Sequence, residues 1–132
     1  MIIHIFSRAA LAGLAITAAL SGAHAAAADY VFEPVEAEVQ NGAGSELAVK
    51  LVHKPSGKAV PGAVLFRTRL DMGPDGMAEM TAKHEAAPSP EPGIYRFKAG
   101  LTMAGGWAFR VMAKVPGEAE TVQGTVVFRV KD

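Results

Sequence analysis

The residues in this chain whose type and spacing can do chemistry are soft sulfur donors. Of its six methionines, Met72, Met77 and Met80 fall around the segment Gly73-Pro74-Asp75-Gly76, and Met103 and Met112 follow. A thioether sulfur is soft and uncharged, so three or four of them, with or without an imidazole, select Cu(I) or Ag(I) over hard ions. Asp71, Asp75 and Glu79 stand beside them and can offset the charge of such an ion. His84 shares the strand phase of Met80 but sits about 13 Å further along at ~3.3 Å per residue. Its expected role is an outer ligand or a second site. His53 closes a strand that leads toward the opposite end of the fold.

Whether the sulfurs meet depends on the elements that carry them. Pro74 cannot adopt the positive φ that a primed two-residue hairpin loop needs, so a three-residue loop Pro74-Asp75-Gly76 with a left-handed Gly76 is predicted. That loop sets Met72 opposite Ala78, Asp71 opposite Glu79 and Leu70 opposite Met80. Met72 and Met80 then lie diagonally on one face, about 7–8 Å apart at the backbone. The Asp71/Glu79 pair is expected on a solvated face. Alternating strand directions bring a Leu101–Gly106 loop, with Met103, to the same end. The same phase also suits core filling, because Met72 and Met80 share it with Val64, Phe66 and Leu70, and methionine fits irregular gaps. Both readings stand on these residues.

Behind the turns, the chain from Tyr30 onward has apolar residues at every second position, the period of half-buried strands. Leu47, Val49 and Leu51 form one inward stripe. Val64, Phe66, Thr68, Leu70 and Met72 form another, as do Trp107, Phe109, Val111 and Val115. Tyr95 with Phe97, and Val122, Val126, Phe128 and Val130, complete the set. Gly/Pro breakers separate these runs into about seven strands, so the expected fold class is all-β, an immunoglobulin-like β-sandwich.

Composition removes other classes. The 13 Lys+Arg balance 13 Asp+Glu, which leaves no overall electrostatic footprint for nucleic acid. There is no cysteine, hence no disulfide scaffold, cysteine-based zinc site or thiol nucleophile. No serine motif, paired-acid constellation or phosphate-cradling loop is present, and Gly105-Gly106 reads as a turn before Trp107. An enzyme and an organic cofactor are therefore not expected.

The first segment is of another kind. Arg8 precedes an apolar run from Ala9 to Leu20, and Ala23-His24-Ala25 gives the small-x-small pattern of a signal peptidase site. The run is too short for a bilayer span. Residues 1–25 are expected to be a cleaved signal peptide and residues 26–132 a periplasmic domain with no transmembrane span of its own.

Four segments in order resemble a known family. Gly57-Lys58-Ala59-Val60-Pro61-Gly62-Ala63-Val64, then Met72-Gly73-Pro74-Asp75-Gly76-Met77-Ala78-Glu79-Met80, Pro92-Gly93-Ile94-Tyr95 and Met103-Ala104-Gly105-Gly106-Trp107 are similar to the YtkA-like family, a relative of the FixH family. The Met-Pro pair usual there is split here by Gly73. The resemblance runs from about Leu47 to Val130 and implies an exported immunoglobulin-like sandwich associated with copper and heavy-metal handling. Its implied ligands are Met72, Met77, Met80 and Met103, with Trp107 packed beside them. Together these readings anticipate a Cu(I)/Ag(I) carrier or buffer. The alternative is a metal-independent adaptor for a membrane transporter or an oxidase-assembly protein.

Overall fold

The computed structural model describes residues 27–132; the expected signal peptide and its processing site lie outside the described residues. Ten strands follow one another: β1 Tyr30–Pro34, β2 Glu38–Gln40, β3 Gly42–His53, β4 Lys58–Ala59, β5 Val64–Met72, β6 Met77–Thr81, β7 His84–Ala87, β8 Ile94–Leu101, β9 Gly105–Lys114 and β10 Val122–Lys131. One sheet has the order β1-β3-β8-β7, with β4 added to β3, and the other the order β2-β10-β9-β5-β6. These are the A-B-E-D and G-F-C orders of an immunoglobulin-type sandwich, extended by a C′-type strand. The count exceeds seven because β2, β4, β6 and β7 are short additions of two to five residues. Among the described residues β2 alone pairs in parallel, along β10.

The two inner faces meet in one core of Leu47, Val49, Leu51, Phe97, Phe109, Phe128 and their neighbours. The stripes of β3, β9 and β10 face inward as their alternation predicts. β5 does not keep one phase. Leu65 pairs with Ala113 and Arg67 with Met112, so Phe66 is an extra residue against β9. Such a bulge reverses which side chains face the core. Leu65 therefore packs inward, whereas Val64 and Phe66 are 60% and 48% exposed. Beyond the bulge, Thr68, Leu70 and Met72 take the inward phase.

Two of the family-like segments meet at one end of the sandwich. The Tyr95 hydroxyl donates to the Val60 carbonyl at 2.7 Å and accepts from the Ala63 amide at 2.9 Å, clamping the segment before β5. Burial pushes the Tyr95 phenol above its ordinary pKa. Gly93 has φ +82°, and a Cβ there would fall 2.5 Å from that of Ala59. Only glycine suits both demands.

Candidate functional site at the methionine end

The other two family-like segments meet at the opposite end. β5 runs into a 3-10 turn, Gly73–Asp75, closed by Gly76 at φ 76°, the left-handed conformation expected of it. This turn lies against the start of β9. The Asp75 Oδ2 accepts from the Gly106 amide at 3.1 Å, and a Cβ on Gly106 would stand 2.9 Å from that of Pro74. A Cβ on Gly105 would meet the Met72 methyl at 2.9 Å. Gly105 and Gly106 thus belong to β9 and are the floor under the turn, where the sequence suggested a turn of their own. The Trp107 indole N–H donates to the Met103 carbonyl at 2.9 Å, fixing the loop before β9.

The register differs from the expected one. Met72 pairs with Met77, and the next pair is Asp71 with Thr81, so Ala78, Glu79 and Met80 arch out of the ladder. Arg69 Nη2 donates to the Ala78 carbonyl at 2.8 Å, and the Ala82 amide returns to the Leu70 carbonyl at 3.1 Å. Leu70 is therefore not opposite Met80, nor Asp71 opposite Glu79. In place of the ladder, the arch's Ala78 carbonyl accepts from the Arg69 guanidinium, and the Leu70 carbonyl of β5 accepts from the Ala82 amide.

The methionines separate into two groups. Met72 has no exposed surface and lies in the core, whereas Met77, Met80 and Met103 are 41%, 42% and 42% exposed. Met77 at the start of β6, Met80 in the arch and Met103 in the β8–β9 loop lie at the same end. Among the described residues no three His, Cys, Asp or Glu side chains are grouped as a harder ion would require.

His84 is half-buried at the edge between the two sheets. Its ring meets Phe97 of one sheet and Phe109 of the other, edge to face. Nδ1 lies 3.1 Å from the Ala82 carbonyl, which can only accept, so Nδ1 carries a proton, and Nε2 shares a hydrogen bond with the Thr68 hydroxyl at 2.6 Å. The ring nitrogen that a metal would use is engaged by Thr68. His53 stands at the far end, against Tyr30 and Ser56.

Asp71 departs furthest from expectation. It points to the outer face of its sheet, yet its side chain is 2% exposed because Arg69 and Arg110 lie over it. Its carboxylate accepts from Arg110 at 2.8 and 3.3 Å, from Arg69 at 3.1 Å and from the Gly73 amide at 2.9 Å. The Arg110 guanidinium above all, with the Gly73 amide and Arg69, outweighs burial and lowers its pKa to about 2. The alternation of Arg67, Arg69 and Arg110 against the apolar stripes was the signal for this cluster; nothing in the spacing joined β5 to β9.

The geometry defines an immunoglobulin-like sandwich domain with a thioether-bearing end. The YtkA-like family profile matches residues 24–112, more than half of the chain, and the chain belongs to that family. The match begins before Leu47 and stops within β9. No curated protein matches the chain. Among solved structures, the ZirS C-terminal domain is similar at 10% identity and a TM-score of 0.43, over 78% of this chain and 66% of that one. The chain thus spans just under two thirds of that structure's length. Among the described residues no helix is long and apolar enough to cross a membrane.

Proposed function

We propose that this protein is a periplasmic metal-handling accessory, a carrier or buffer and not an enzyme, that binds Cu(I) or Ag(I) through Met77, Met80 and Met103. One observation supports the reading. Of seven large hydrophobic side chains left exposed among the described residues, three are methionines, two on β6 just after the turn and one in the β8–β9 loop, all at one end. A soft ion reaching that end meets uncharged thioethers, with Asp75 and Glu79 close in sequence. Met72, sealed beneath Gly105, anchors the turn and is not a ligand. His84 contributes to the packing between the sheets.

A ligand that binds only the folded state stabilises it by mass action. Saturating Cu(I), under reducing conditions and with the chelator controlled, is expected to raise the melting temperature of the wild type. Replacing Met77, Met80 and Met103 together by Leu is expected to abolish the rise, whereas Met72→Leu keeps it. An identical melting temperature with and without Cu(I) overturns the proposal.

A further inference from the structure

The charge of the chain is balanced in total but not in place. β5, β9 and β10, the central strands of one sheet, carry Arg67, Arg69, Arg110, Lys114, Arg129 and Lys131 against a single acid, Asp71. Asp71 is buried beneath two of these cations. In the register, Arg69 stands directly opposite Arg110, and Arg67 opposite Met112. The three arginines edge a shallow groove of about 510 Å³ on the outer face, floored by Met112, Gln123 and Thr125.

Asp71 does more than cancel one charge. It holds Arg69 and Arg110 side by side through their Nε atoms, and each guanidinium keeps further N–H donors free of the carboxylate. Fixing the two forks beforehand reduces the ordering cost of binding an anion. The Arg67 side chain makes no hydrogen bond or ion pair among the described residues and is exposed. The groove therefore offers an excess of planar donors that match carboxylates in pairs.

We infer that this arginine-lined outer face of the β10-β9-β5 sheet is a docking groove for an extended acidic segment of a partner protein. Charge complementarity and spacing select that occupant. Arg67 and Arg69 are two residues apart on one strand, about 7 Å at the usual rise, which is also the repeat of same-side carboxylates on an extended chain. Arg110, one strand over, broadens the contact across the groove. This inference is independent of metal binding at the methionine end.

The probe is a fluorescein-labelled peptide of alternating Glu and Ser, read by fluorescence anisotropy with the purified protein. Binding is expected at about 20 mM salt and is expected to weaken steeply by about 200 mM. Arg67→Glu is expected to weaken it about tenfold or more without shifting the melting temperature, because Arg67 is exposed and holds nothing in place. Amide shifts on titration are expected at Arg67, Gln123 and Thr125. The Met77/Met80/Met103→Leu variant is expected to bind the peptide as the wild type does, so failure of the metal reading and failure of this one are distinguishable. Absence of peptide binding at low salt overturns the inference, as does binding unchanged by Arg67→Glu. Tighter binding to anionic phospholipid vesicles or to single-stranded DNA than to the peptide also overturns it, since the groove would then belong to another class of partner.

Discussion

The Asp75 carboxylate accepts a hydrogen bond from the Gly106 amide at 3.1 Å, and this contact ties the turn before Met77 to the strand that starts just after Met103. The two loops that carry exposed thioethers are thereby held against each other through backbone and a short acid. The tie uses no sulfur atom, so the end is ordered without an ion. Preorganisation of this kind lowers the cost of later binding.

Gly106→Ala tests that tie. Gly106 has no left-handed φ, so only the crowding by Pro74 and Asp75 matters. The added methyl is expected to cost roughly 1–3 kcal/mol by overpacking, measured by urea denaturation. In a Pro74→Gly background, where the nearest atom is gone, at least half of that cost is expected to disappear; additivity between the two changes would show that the turn does not rest on Gly106.

At the other end, Tyr95→Phe removes the hydroxyl shared by the Val60 carbonyl and the Ala63 amide. The expected loss is about 1–3 kcal/mol, because two backbone groups lose their partner. Protection from hydrogen exchange should fall first at Ala63. A Phe variant as stable as the wild type would show that the clamp does nothing for the segment before β5.

The alternation of β3, β9 and β10 was legible because the apolar run of each keeps one phase, the register shift of β3 falling before that run, between Gly42 and Ser45, and period two leaves no freedom once one residue is inward. β5 was not, since the single extra residue at Phe66 inverts the phase without any glycine or proline to mark it. The turn was legible in its left-handed Gly76, a demand of backbone sterics, but the arch of Ala78–Met80 was not. Its cause is tertiary, a guanidinium from Arg69 capturing the Ala78 carbonyl. The burial of Asp71 was hidden for the same reason, since it depends on Arg110 from another strand. The gathering of methionine loops at one end followed from strand directions alone, whereas the separation of Met72 from the exposed three depends on packing under Gly105.

That separation has a thermodynamic signature. Met72→Ala is expected to cost about 2–5 kcal/mol, the range for deleting a buried side chain and leaving a cavity. Changing Met77, Met80 or Met103 singly to Leu should alter stability by less than about 0.5 kcal/mol, as surface substitutions usually do. Thermal and urea melts of the four single variants check this. Equal costs across the four would mean that Met72 is no more part of the core than the others.

Asp71 makes the stability of the fold depend on pH in the acid range. Its folded pKa of about 2 lies below the ordinary 3.8, so the unfolded chain takes up this proton first as pH falls. The sign follows from linkage: the stabilisation is complete above about pH 4, and is lost progressively down to about pH 2. The depression corresponds to on the order of 2 kcal/mol. Asp71→Asn keeps an acceptor for the Gly73 amide but gives up both guanidinium pairs. It is expected to lower stability by roughly 1–3 kcal/mol at neutral pH and to flatten the slope of stability between pH 4 and 2, read from urea melts in a pH series. Because the same carboxylate aligns Arg69 and Arg110, this variant should also weaken acidic-peptide binding even though it raises the net positive charge of the groove. Tighter binding by Asp71→Asn would mean that charge alone, and not the fixed pair of forks, governs the face.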